Sequence, residues 1–256
     1  MCALSLSPRD RRLVDGIATA YEASRDKVSL FRDQLLSALL GSTELAPLVH
    51  SVRSRLKDPE HLRDKVQRKL EASKREGKQF AIRPENLLTS VNDLIGVRIL
   101  HLYTRQIRQI DAVLRKIFEE GQYKLIEGPF ARTWDDESRE FFKQCEIATQ
   151  SSPSLYTSVH YVIGSASRTM VTAEIQVRTL MEEVWGEVDH AMNYPHQIDS
   201  VACREQLKVL ARVTSSATRL VDAIFATREE AALRVQGGTA KDGGSQAKVG
   251  RRRTRR

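Results

Sequence analysis

No stretch of this chain approaches the roughly 20 consecutive apolar residues that a membrane-spanning helix needs. The start, MCALSLSPRDRR, has neither the basic opening nor the long apolar centre of a secretory signal. Cysteine is scarce: Cys2, Cys145 and Cys203 are scattered, odd in number and form no CxxC pair. That pattern excludes a disulfide framework and a thiolate zinc site, and it implies a reducing, cytoplasmic setting. There is no Gly-rich GKS or GKT loop, so a Walker-type phosphate cradle is excluded. Internal repeats are absent. Outside the C-terminal end, so is any strong charge. The net charge of +8 suggests a nucleic-acid partner. Yet residues 234–256 hold eight Lys/Arg against one Asp, which is +7 of that total. The body is therefore close to neutral. The tail, rich in Gly, Ser, Gln and charge, is expected to be disordered. It is either a solvated end or a contact for RNA, the ribosome or another acidic surface.

What is present in the 256 residues is enough for a full core. Ser7-Pro8-Arg9-Asp10 reads as a helix start, and a second helix over about 27–40 ends at Gly41. Asp58-Pro59 pairs a good N-cap with a favoured first helical residue, predicting a helix to about Arg75. Residues 93–103 read as a buried strand, 105–119 as an amphipathic helix and 123–126 as a short strand. The polar stretch 128–154 reads as a long functional loop. Strands follow at about 156–164 and 171–178, then a helix over 180–192 and one or two further helices. The expectation is an α+β fold with a central mixed sheet of nucleotidyltransferase-like type, flanked by helices. Its parts are N-terminal helices (1–44), a core (45–197), C-terminal helices (198–233) and the basic tail (234–256).

Four stretches carry chemistry. In TAEIQVRTL (172–180) the residues Glu174 to Arg178 alternate strictly, so Glu174, Gln176 and Arg178 share one face of a strand. Tyr156, Ser158 and His160 share one face of the preceding strand. Consecutive strands usually pair. Two adjoining polar faces of this mixture point as readily to a site as to wet surface. In SRLKDP (54–59), Arg55 and Lys57 stand before a helix N-terminus, and Lys65 follows two turns in. That is either a solvated basic helix start or a polyphosphate cradle. Asp93, at the head of an apolar strand, either caps or pairs locally, or joins Glu174 in holding Mg²⁺.

SRLKDPEHLRDK (54–65), DLIGVRI (93–99), YTSVH (156–160), EIQVRT (174–179) and WGEVDHAMNY (185–194), in this order, resemble the synthetase domain of the RelA/SpoT family. The likeness is greatest to its stand-alone small alarmone synthetases, and it covers about residues 45–195. The resemblance implies transfer of pyrophosphate from ATP to the 3′-hydroxyl of GDP or GTP. It implies Arg55 and Arg98 on adenine, Lys57 and Lys65 on the ATP phosphates, and Asp93 and Glu174 on Mg²⁺. It places Tyr156 on guanine with Asn193 near the base edge. His160, Gln176 and Arg178 would orient the acceptor or support the metal ligands, and Glu174 would also help deprotonate the hydroxyl. Homo-oligomers, often tetramers, are implied as well.

The chain departs from the family pattern at Leu155, where Gly is usual, at Pro195, where many members have Lys, and at His61, where Ser is frequent. These changes bear on the acceptor more than on the ATP and magnesium residues. Asp189-His190 matches an HD dipeptide, but the stretch ahead of the blocks is too short for a hydrolase scaffold. The pair reads as part of the synthetase. Two other functions stay open at this point. One is a toxic relative that pyrophosphorylates the 3′ end of tRNA or makes adenosine alarmones. The other is a non-catalytic regulator that binds guanine nucleotides or RNA, which would be expected to lack Asp93 or Glu174.

Overall fold

The computed structural model describes residues 6–193 and 199–242, with side chains to residue 234. Two helices open the chain, α1 (Pro8–Ala23) and α2 (Arg25–Gly41). Ser7 caps α1 reciprocally with Asp10, as its sequence predicts. Strand β1 (Ser51–Leu56) leads into α3 (Pro59–Arg75), and a short α4 (Leu87–Ser90) precedes β2 (Ile95–His101). Then come α5 (Ile107–Glu120), β3 (Lys124–Thr133), α6 (Asp136–Gln144) and β4 (Ala148–Ser151). The strands β5 (Ser158–Gly164) and β6 (Thr172–Thr179) run into α7 (Leu180–Asn193) and the long α8 (Val201–Asp242).

The six strands form one mixed sheet in the order β1-β2-β6-β5-β3-β4. The pairs β2–β6 and β3–β4 are parallel and the others antiparallel. This is the expected α+β architecture. One face is apolar: Val97, Ile99, Val159, Tyr161, Ile175 and Val177 are buried in the same core as Ile107, Ile110 and Leu114 of α5. The Tyr161 hydroxyl reaches through that layer to donate to Asp111 on α5 (2.9 Å). Among the described residues no helix is long and apolar enough to cross a membrane. Cys145 and Cys203 are free thiols.

Three expectations need correction. The basic run at 54–57 does stand just before the helix that starts at Pro59, but it also ends an unexpected strand: Arg55 belongs to β1, an edge strand whose exposed arginines mask its strand character. Residues 128–154 are not a loop: they hold the second half of β3, α6 and β4. Their polarity misleads because β4 is wholly exposed and α6 buries only Phe142. The C-terminal helix continues as one element past Arg234 to Asp242, although the tail was expected to begin at 234. Glycines lower helix propensity by about 1 kcal/mol each without forbidding a helix that already propagates. The remainder of the tail, and Tyr194 and Pro195, lie outside the described residues.

Gly128 is what allows β3 to stay beside β5. The β3–β5 register shifts on either side of Glu127. At this bulge Gly128 takes φ +88°, and an added Cβ would stand 2.4 Å from the His160 carbonyl oxygen. Gly128→Ala is therefore expected to cost at least about 1–3 kcal/mol. It should lower the thermal midpoint by several degrees in a melt followed by circular dichroism. An unchanged midpoint would show that the bulge relaxes freely.

Candidate active site

Register gathers the polar residues on the face opposite α5. Arg53 and Arg55 of β1 pair with Arg98 and Gly96 of β2, and these lie level with Gln176 and Glu174 of β6. His160 of β5 is opposite Gln176, and Phe130 and Arg132 of β3 are opposite His160 and Ser158. Cross-strand partners share a face, so five strands contribute to one polar surface.

Two clefts open on that surface. The first, of about 290 Å³, is lined by Arg53, Arg55, Asp93, Arg98, Glu174 and Gln176, with Glu187 and His190 of α7. The second, of about 270 Å³, is lined by Tyr156, Arg178, Trp185, Asp189 and Asn193. Arg98, Gln176 and His190 line both, so the clefts adjoin.

Asp93 sits in a turn just ahead of β2, held between Lys57 Nζ (2.8 Å) and Lys65 Nζ (2.6 Å). Burial pushes its carboxyl up, but the two lysines outweigh that and hold it below the ordinary carboxylate range. The lysines thus gather around Asp93 rather than around the N-terminus of α3. That N-terminus is no open anion site, because Asp58 accepts the Glu60 and His61 amides (2.9 and 3.1 Å).

Glu174 is organised differently. Its Oε1 accepts from His160 Nδ1 (3.0 Å) and from Gln176 Nε2 (3.3 Å). An ionised carboxylate only accepts, so Nδ1 carries the proton and Nε2 is left to accept from Ser158 Oγ (2.6 Å). The Tyr156 hydroxyl lies 3.3 Å from the same Nε2. The ring of His160 is fully buried and stacked on Phe130 (centroids 5.3 Å, 2°). Burial raises the Glu174 carboxyl, and the His160 and Gln176 contacts bring it below its ordinary value. The negative charge of Asp93 acts on it in the opposite direction. Two ionised carboxylates on one cleft are a fitting donor set for a divalent cation that takes its other ligands from phosphate and water. Among the described residues no three His, Cys, Asp or Glu side chains converge on a metal position by themselves.

The second cleft is aromatic. Trp185 lies parallel to Tyr156 (centroids 5.8 Å, 5°). Asn193 donates to Asp189 Oδ1 (2.8 Å), which fixes the orientation of its amide, and its buried Oδ1 has no hydrogen-bond partner among the described residues. Arg178 is buried and already paired with Glu183 of α7. Burial lowers its pKa, and the Glu183 charge counters this. The open Cα of Gly186 makes room for this arginine, since a Cβ there would meet Nη1 at 2.7 Å. Arg98 pairs with Glu183 (3.2 Å) and with Glu187.

Every residue nominated from the sequence is in this region, and Asp93, Glu174, Gln176, Arg55 and Arg98 share one cleft. Sequence reasoning missed Arg53, Phe130, Arg132, Trp185, Glu183 and Glu187. Arg132, exposed over the Phe130 ring (5.7 Å), was hidden in the supposed loop. Trp185 and Glu187 lie inside a quoted block, but their orientation depends on how α7 crosses the sheet.

The architecture is that of the small alarmone synthetases. A GTP pyrophosphokinase family protein from Streptococcus pneumoniae superposes with a TM-score of 0.51 at 20% identity, covering 88% of this chain and 97% of that one. Small alarmone synthetase 1 from Bacillus subtilis bound to its product pppGpp gives 0.53 at 19%, covering 79% and 93%. The same Bacillus subtilis protein bound to AMPCPP gives 0.51 at 18%, covering 80% and 94%. Among curated proteins none matches significantly. The model of the region found in RelA/SpoT proteins matches residues 54–199, more than half of the chain. The chain belongs to the RelA/SpoT family.

The departure at Leu155 has a structural reading. Its φ is +62°, in the left-handed region that suits the glycine usual there and costs other residues roughly 1–2 kcal/mol. Elsewhere alanine is favoured over glycine. Here Leu155→Gly is expected to be more stable than Leu155→Ala by about 1 kcal/mol. Urea unfolding of the two variants decides it, and the opposite order would mean that the segment before Tyr156 relaxes out of this conformation.

Proposed function

We propose that this protein transfers pyrophosphate from ATP to the 3′-hydroxyl of GDP or GTP, making (p)ppGpp. The observation that carries this reading is the pair of adjoining clefts. One has arginines and three carboxylates, the other has aromatics and the Asn193 amide, and Gln176, two positions from Glu174, lines both. The ligands named for the Bacillus subtilis structures, pppGpp and AMPCPP, are of the matching kinds.

In this reading ATP occupies the first cleft. Arg55 and Arg98 offer guanidinium planes to the adenine. Lys57 and Lys65 exchange Asp93 for phosphate oxygens. Asp93 and Glu174 would hold Mg²⁺, which when bound neutralises phosphate charge. The acceptor lies in the second cleft with its base on Tyr156. Asn193 lines this cleft, and the N1–H and N2 amino donors of guanine are complementary to an amide oxygen. Arg132, beside Ser158 on the same face, stands where acceptor phosphates would extend. Glu174 takes the proton of the 3′-hydroxyl as that oxygen attacks the β-phosphorus. The bond to the α–β bridging oxygen breaks, and AMP leaves. His160, buried behind the clefts, and Gln176 hold Glu174 in place, and of the two only Gln176 also borders the substrates. The work is alignment and charge compensation. The basic tail is an adapter for RNA or an acidic surface, outside the chemistry.

The test is incubation of the protein and Mg²⁺ with γ-³²P-ATP and, in separate reactions, GDP, GTP or deacylated tRNA. Label is expected in ppGpp and pppGpp. Label only on tRNA would replace this reading with that of a translation-blocking toxin. Glu174→Ala and Asp93→Gly should each lower turnover by at least about 10³-fold with the circular dichroism spectrum unchanged. Turnover within tenfold of the parent protein in either variant would remove that residue from the chemistry.

A further inference from the structure

Glu182, in the first turn of α7, is unexplained by the proposed chemistry. It is 4% exposed and faces neither cleft. Its Oε2 accepts the Thr157 amide (3.0 Å). Thr157 stands between Tyr156, which lines the acceptor cleft, and Ser158, which bonds His160. The carboxyl borders a cavity of about 40 Å³, whose polar wall includes His101, Ser215, Thr218 and Arg219. Docking of α7 does not need Glu182. Glu183 already pairs with Arg178, and Trp185 Nε1 donates to the Leu207 carbonyl (3.2 Å). By contrast, the segment 152–157 is held mostly to itself and to Thr133. The Thr157 amide ties it to the cleft-forming helix.

We propose that Glu182 is a positioning residue for the acceptor nucleotide, its carboxylate holding the Thr157 amide and thereby setting where Tyr156 stands. The proposal rests on the acceptor assignment of the second cleft. Its charge state is tunable. Burial pushes the carboxyl up to about 7, and Asp135 pushes the same way. The Thr157 amide and the Arg178 charge oppose. His101 and Arg219 also border the cavity, and burial lowers His101 to about 4, so it stays neutral near pH 7. The charged carboxylate accepts a stronger hydrogen bond than the neutral acid. Grip on Thr157 therefore strengthens as pH rises through about 7.

The experiment compares the parent protein with Glu182→Gln, which keeps an acceptor oxygen, and Glu182→Leu, which does not. Two readouts are taken, KM for each nucleotide and hydrogen exchange at the Thr157 amide. In Glu182→Leu the amide is expected to exchange about tenfold faster or more, and KM for GDP or GTP to rise about tenfold with KM for ATP within twofold. Glu182→Gln should recover most of the KM. The acceptor KM of the parent protein should fall from pH 6 to 8 relative to that variant, which removes the titration of the substrates from the comparison. An unchanged Thr157 amide, equal rises in both KM values, or no pH difference from Glu182→Gln would overturn the proposal. If neither GDP nor GTP accepts label in the parent protein, the proposed function fails, and with it the acceptor role. Exchange at Thr157 would then report the contact alone.

Discussion

The register of β5 against β6 governs the site. His160 lies opposite Gln176, with Val162 opposite Glu174, so the histidine sits diagonal to the glutamate and Nδ1 reaches it. A slip of one residue would turn Glu174, Gln176 and Arg178 into the core and bring Ile175 and Val177 out. The apolar face prevents that slip, because Tyr161, Ile175 and Val177 are buried against α5. Burial of one face thus specifies the chemistry of the other. The Gly128 bulge continues the same logic into β3, where it brings Phe130 under the His160 ring.

Charge compensation is the second constraint. Asp93 is half-buried beside two lysines, and Glu174 half-buried beside a histidine and an amide. Both carboxylates therefore remain ionised without a metal, at the cost of keeping their partners engaged. In the proposed reaction, the ATP phosphates would offer the lysines a more highly charged partner and free the carboxylate they cover. On that proposal the site would pass between two neutralised states without leaving an unpaired charge in the cleft, which would be expensive.

How far this was legible in the sequence follows from which signals are local. Strict alternation over 174–178 and an amphipathic helix over α5 are properties of short windows, and both were readable. The strand β1 was not, because Arg53 and Arg55 project from an edge strand into the cleft and make its composition look like a basic linker. The segment 128–154 was not, because edge strands and a helix with one buried residue carry little apolar pattern. The HD dipeptide shows the reverse case. Asp189 and His190 look like a metal motif, but Asp189 accepts from Asn193 and both line the second cleft. The capped N-terminus of α3 is a further lesson. The Asp58-Pro59 signal correctly marked the helix start, and the same aspartate removes the amides that an anion would have used.

Helix α7 turns these strands into two compartments. Three carboxylates on adjacent turns reach three different partners on or near the sheet: Glu182 the Thr157 amide, Glu183 Arg178 and Arg98, and Glu187 Arg98. The pairing of Arg98 looks at first like competition with a nucleotide. Ion pairs engage a guanidinium along its edge, however, while a purine stacks on its face. The acidic side chains therefore hold Arg98 by atoms that adenine does not need and restrict the rotamers it would otherwise lose on binding. Because Arg98 lines both clefts, the same restraint fixes the wall between them, and under the proposed function the relative placement of the two substrates becomes a property of how α7 is seated.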